Sequence, residues 1–196
     1  IRDRGVGSYR PKLEGLNFSV APNGIVDVRK DDKWFCPVYV DAGPDGALYV
    51  CDWYDEQCNH LKHSEGQLHA NDGRLFRIRA REGRVLKQFD LSKLTVLELL
   101  EHLKSSNRWW REEARRALWQ HKDRKNALPT LEKWINDEKG QLALEGLWCR
   151  SLIDDLAIQV FRKAMRSANP QVRRWAIRLA VDNGDLTPAH LTEVSE

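Results

Sequence analysis

"PVYVDAGPDGALYVCDW", residues 37–53, decides how the first half of this chain is read. Two short runs rich in Val, Tyr and Leu flank a segment built for reversal. Pro44 presets φ for a turn, Asp45 can bond its own backbone, and Gly46 accepts a positive φ. The prediction is an antiparallel hairpin that reverses between residues 40 and 47. Outward from it, "LNFSV" (16–20), "GIVDVRK" (24–30), "RLFRIRA" (74–80) and "RVLKQFD" (84–90) are further β-branched or aromatic runs. Gly, Asn and Asp set them off, and "REGRV" supplies a second tight reversal around Gly83. Strands this short and this regularly spaced suit a sandwich or a propeller.

Near residue 92 the apolar period changes from two to about 3.6, which marks a boundary between a β part, 1–91, and a helical part, 92–196. "TVLELLEHL" opens with Thr95 and has Glu98 three residues on, a capping-box pattern. Asn107 and Asn169 fit as N-caps, the second with Pro170 at the first helical position. Thr187–Pro188 repeats that start signal. The predicted helices are 95–104, 107–121, 127–137, 141–152, 155–167 and 170–182. "SSNRWWREEARRAL" (105–118) lies over "SANPQVRRWAIRLA" (167–180) at an offset of 62, with Gly146 at the small-residue position between them. Such a step describes an α-solenoid of HEAT-like helix pairs. Six or seven strands do not close a propeller, and the last helix start has no room to finish. The chain is therefore expected to be a piece of a larger protein, truncated within its repeats.

Charged residues make up 31% of the 196 and hydrophobic ones 41%, a globular profile. No apolar run approaches the ~20 residues that cross a bilayer. A net charge of +3 gives no argument for nucleic acid over the whole chain. Residues 1–91 balance 14 basic against 14 acidic groups, but residues 104–125 carry 8 against 3. Cys36, Cys51, Cys58 and Cys149 form neither a C-x-x-C pair nor a C-x-x-C-H haem motif. Whether Cys51 and Cys58 pair stays open.

Residues 31–79 resemble the final blades of the sugar-dehydrogenase-like β-propeller in the membrane-bound dehydrogenase family of planctomycetes and verrucomicrobia. The resemblance is carried by Trp34 to Val38, Gly43 to Tyr54, Asn59-His60, Glu65-Gly66-Gln67 and Gly73 to Arg77. In that family HEAT-like repeats follow the propeller, and a haem-binding domain often follows the repeats. The expected fold is thus partial β-propeller blades followed by an α-solenoid. The implied protein is an exported, periplasmic or secreted dehydrogenase of sugars or alcohols, with pyrroloquinoline quinone and haem as cofactors of the full-length protein and none in this piece. Cys36 and Cys51 depart from the family pattern.

Quinone-dependent oxidation needs a base, a cation at the quinone carbonyl, and Arg or Lys on the cofactor carboxylates. The loop after Trp53 offers Asp55, His60, His63, His69 and Asp72, so His60 is the candidate base and Arg74 the anion anchor. The competing reading has His60 and Asn59 bonding the backbone of their own loop. Cys58, His60, His63 and His69 are zinc-type donors without a familiar spacing. Asp52, Asp55, Asn59 and Glu65 are calcium-type donors; no metal site is assigned. Asp52-Trp53-Tyr54 reads as structural, with aromatic packing and a carboxylate tying a turn.

On the helix 107–121, Trp110, Ala114, Ala117 and Leu118 share the face that forms the inter-helix seam. Trp119 falls opposite, among Arg108, Arg115 and Lys122, a basic surface with an aromatic anchor for a partner. The competing reading makes Trp119 ordinary packing at the junction with the β part. The expected role of this stretch is support and partner contact, toward the rest of its own propeller, a cytochrome or another protein. The alternative is a non-catalytic propeller and HEAT scaffold. Duplex DNA is a weaker third reading.

Overall fold

The computed structural model describes residues 6–14, 17–26, 32, 34–55, 71–83, 85–137, 140–154, 158–182, 184 and 188. The chain divides into two compact units, 1–86 and 87–196. In the first, β1 (Val6–Glu14) and β2 (Asn17–Val26) form an antiparallel ribbon. Separately, β3 (Pro37–Ala42), β4 (Leu48–Asp52) and β5 (Arg74–Ile78) form an antiparallel meander in that spatial order.

The β3–β4 reversal is the one the sequence predicts. Gly43 donates its N–H to the Ala47 carbonyl at 2.8 Å, Gly46 donates to Gly43 at 3.0 Å, and Gly46 sits at φ 77°. Asp45 accepts the Ala47 N–H at 3.1 Å and also holds Arg77 of β5, whose Nε lies 2.8 Å from Oδ2. One carboxylate therefore fixes the turn and fastens the third strand to it. The core behind the sheet is Phe35 and Val50, with Phe76 and Ile78 packed on them; the Phe35 and Phe76 rings meet edge to face at 5.6 Å.

Burial pushes the Asp45 pKa up, but the Arg77 hydrogen bond and charge and the Ala47 amide outweigh it and hold the value below the ordinary one. A depressed folded pKa contributes stability above the unfolded value, about 3.9, and that contribution is lost as pH falls through the folded pKa. Asp45→Asn is accordingly expected to melt below the natural chain at neutral pH. Scans at successively lower pH should show the two melting temperatures converge below about pH 4. A gap that stays constant down to pH 2.5 would rule out the ion pair as its source.

The second unit opens with a 3-10 turn at Leu91–Lys93, capped by Asp90. Among the described residues six helices follow: α1 (Val96–His102), α2 (Arg108–Gln120), α3 (Leu128–Asp137), α4 (Gln141–Ile153), α5 (Ile158–Met165) and α6 (Pro170–Asp182). The capping box is present, with Thr95 Oγ1 accepting the Glu98 N–H and Glu98 Oε2 accepting the Thr95 N–H at 2.8 Å. Ala114 and Leu118 of α2 are fully buried in one apolar cluster with Leu99, Leu131 and Cys149, and Trp110 and Ala117 pack on it. A second cluster gathers Leu147, Phe161, Val172, Ala176 and Ala180. Gly146 lets α4 approach α3 closely: a Cβ there would stand 2.9 Å from the Leu131 carbonyl oxygen and 3.1 Å from Trp134 Cβ.

The expected partial propeller followed by an α-solenoid is overturned. The described strands make a two-stranded ribbon and a three-stranded meander, not four-stranded blades. Alternation and a tight turn specify hairpins, but the number of hairpins in one sheet is set by long-range packing that alternation does not report. The run 84–90, expected as a strand, has none in its described residues, and Val85 is 78% exposed. Residues 6–14, not among the expected strands, pair along their whole length.

Among the described residues the second unit holds six helices, and the expected solenoid is not shown. Behind the offset of 62 is a recurring helix start. Ser105 Oγ accepts the Asn107 N–H at 3.2 Å, Asn107 Oδ1 accepts the Trp109 N–H at 2.9 Å, and Arg111 Nη1 reaches back to the Ser105 carbonyl at 2.7 Å. Ser167, Asn169, Gln171 and Arg173 reproduce the three bonds at 3.2, 2.9 and 2.7 Å. The matched letters are therefore capping chemistry, which any two helices can share. Of the start signal Thr187–Pro188, Thr187 lies outside the described residues.

Candidate functional site

Helical spacing lines up three sets of side chains in the second unit. Arg108, Arg111 and Arg115 follow one side of α2; Gln141, Glu145, Trp148 and Leu152 follow one side of α4; Trp175 and Leu179 follow one side of α6. Together they line an open groove of about 600 Å³ across the three helices, within the range of small-ligand pockets, ~300–1,000 Å³.

Glu145 organises it. Only 2% exposed, its carboxylate accepts from Arg111 Nε at 3.1 Å, Gln141 Nε2 at 2.8 Å and Arg115 Nη1 at 2.8 Å. A buried carboxylate is tolerable only when paired in this way. Arg111 also donates to the Ser105 and Ser106 carbonyls, so α2's start and α4 share one guanidinium. The Arg115 guanidinium lies 5.2 Å from the Trp148 ring centroid, and Trp148 meets Trp175 edge to face at 5.1 Å. Arg178 covers Trp175 at 4.8 Å. At the rim Arg108 pairs with Glu112 at 2.6 Å, and Leu152 is 47% exposed. Cys149, next to Trp148 in sequence, is buried; burial, and secondarily the Glu145 charge, push its thiol up to about 12 against the opposing pull of Arg115. At neutral pH it is a protonated, unreactive group.

Of the residues singled out on α2, Arg108 and Arg115 line the groove. Trp119, 49% exposed, and the exposed Lys122 do not. The sequence reading missed Arg111, Glu145, Trp148 and Trp175. A signal was there in "LALEGLWCRSLI" (142–153), where one carboxylate interrupts an apolar run three residues before a tryptophan.

In the first unit, Arg74 is held between two acids. Its Nε lies 2.6 Å from Asp52 Oδ2 and its Nη1 2.7 Å from Asp32 Oδ2. The Tyr54 ring lies 4.1 Å from its guanidinium carbon. Burial draws the Arg74 pKa down, but the hydrogen bonds and charges of Asp32 and Asp52 prevail and raise it. Asp52, 3% exposed, also accepts the Cys36 N–H at 2.7 Å and the Tyr54 N–H at 3.1 Å. The Asp-Trp-Tyr stretch thus ties β3, β4 and β5 together, with Tyr54 in the left-handed region at φ 58°. Arg74 thus already holds two carboxylates, Asp32 and Asp52. His60 lies outside the described residues, as do Cys58, Asn59, His63, Glu65 and His69. Among the described residues no group of three or more His, Cys, Asp or Glu is placed to hold a metal ion. Among them, too, no helix is long and apolar enough to cross a membrane. Cys36 is disulfide-bonded, with its partner outside the described residues, while Cys51 and Cys149 are free.

Fold and site together define a chain with a small β-meander unit and a helical unit that carries an arginine and tryptophan groove. Residues 27–85 match a family model described as a domain of unknown function, DUF7133. That domain contains the Asp32–Arg74–Asp52 tie and ends beside the boundary at residue 86. No curated protein and no solved structure matches the chain.

Proposed function

We propose that this chain acts by holding a protein partner, as the non-catalytic, partner-contacting part of an exported dehydrogenase-like protein. The observation that carries the reading is the open groove of about 600 Å³, whose walls combine guanidinium groups with two indoles. Arg and Trp are the side chains most enriched among residues that dominate protein interfaces. In the first unit Arg74 is paired with Asp32 and Asp52, which supports a mounting role there. The Cys36 disulfide favours an oxidising compartment, in keeping with export. The dehydrogenase kinship rests on the resemblance of residues 31–79, which fall within the DUF7133 span.

The test is site-directed photocrosslinking. In a Cys51→Ser background, Leu152→Cys places a benzophenone at the groove mouth, and Leu97→Cys, 73% exposed on α1, serves as control. A partner identified by peptide mass spectrometry from the groove position and absent from the control supports the reading. Equal or no crosslinking at both positions would sink it. So would turnover of sugars or alcohols by the purified chain in a dye-linked assay with pyrroloquinoline quinone and calcium.

A further inference from the structure

Two features of the groove specify what it takes. The first is charge. Arg108, Arg111 and Arg115 face it against Glu112 and Glu145, and Glu145 is fully used in holding Arg111, Arg115 and Gln141 in place. The lining therefore carries three guanidinium groups against two carboxylates, a net positive face beside indole and leucine surface. The second is apolar surface: Trp148, Trp175, Leu152 and Leu179 line the same groove.

Building on the partner-holding role, we infer that the occupant is a polypeptide segment with an apolar side chain flanked by carboxylates. The apolar side chain lies against Trp148, Trp175 and Leu152. The carboxylates meet the arginine row on α2, where a planar fork gives two parallel hydrogen bonds to a carboxylate. A basic segment would meet like charge at the rim, so the groove discriminates by repulsion as well as by attraction.

Fluorescence anisotropy of labelled peptides added to the intact chain tests this directly. One peptide carries a Leu–Phe pair between glutamates; a second has lysines for the glutamates; a third has serines for the pair. The first is expected to bind saturably, at least about tenfold tighter than either of the others, and to weaken as salt rises. Arg108→Glu, at an exposed rim position, should weaken it about fivefold or more. Arg116→Glu, exposed and outside the groove lining, should leave it unchanged. Circular dichroism checks that each variant is folded.

If the acidic peptide binds no tighter than the basic one, or Arg108→Glu binds it normally, the inference falls. It also falls if phenylacetate competes as strongly as the whole peptide, which would assign the groove to small anions. Should the peptides fail while photocrosslinking at Leu152→Cys still gives a specific partner, the holding role stands and only the acidic chemistry is lost.

Discussion

Gly146→Val is expected to destabilise the helical unit by about 3 kcal/mol, which for a unit of this size lowers Tm by roughly 10–20 °C. A Cβ at this position stands 2.9 Å from a backbone oxygen of α3, an atom that cannot swing aside as a flexible side chain would. Gly146→Ala sets two effects against each other. The helix gains about 1 kcal/mol in propensity, and the α3–α4 contact loses about 1–3 kcal/mol, so a small net loss is expected. Valine adds bulk to the same contact and brings none of alanine's propensity gain. Cys149 provides the readout, because a buried, protonated thiol resists alkylation until α4 opens. Alkylation that begins at the same temperature in Gly146→Val and the natural chain would show that α3 and α4 do not meet as described.

The second large effect is expected at Asp52. Its carboxylate serves two backbone N–H groups and Arg74, so Asp52→Ala removes an acceptor from three donors in one step. Breaking a buried pair by deleting one partner typically costs about 3–5 kcal/mol. Arg74 keeps Asp32 and is a quarter exposed, which places the expected loss near the low end, about 3 kcal/mol. Asp52→Asn keeps an oxygen for the Cys36 amide and should lose less. Hydrogen exchange followed by mass spectrometry should show protection lost across 36–52 and 74–78, with helices 96–182 unchanged. Unchanged protection in the strands would refute the proposed tie, and loss throughout the chain would refute the independence of the two units.

Local chemistry was legible in the sequence wherever a structure closes over a few residues. Gly43–Ala47, the Thr95–Glu98 box and the Asn107 and Asn169 caps each complete their hydrogen bonds within about five residues, and each was read correctly. So were the seam of Trp110, Ala114, Ala117 and Leu118, whose spacing alone puts them on one face, and the need for a small residue at Gly146. What escaped was decided across distance. The carboxylates that hold Arg74 are Asp52 and Asp32, the latter 42 residues away. The groove depends on Arg111 and Arg115 finding Glu145 at separations of 34 and 30 residues. Nothing in the pattern of a single helix announces such a meeting. The strand at 6–14 likewise rests on its pairing with β2, which its own residues do not report.

The two helix starts built on Ser-x-Asn follow one recipe but serve different ends. Arg173 reaches the Ser167 carbonyl at the head of α6, whereas Arg111 divides its guanidinium between the Ser105 carbonyl and the floor of the cleft. The loop before α2 is therefore a remote tuning screw. Substitutions at 103–106 that shift that carbonyl would re-aim Arg111, loosen its grip on Glu145 and alter the cleft's polarity without replacing any residue that lines it. Selection, or an engineer, has a handle on ligand preference that leaves the contact surface itself intact.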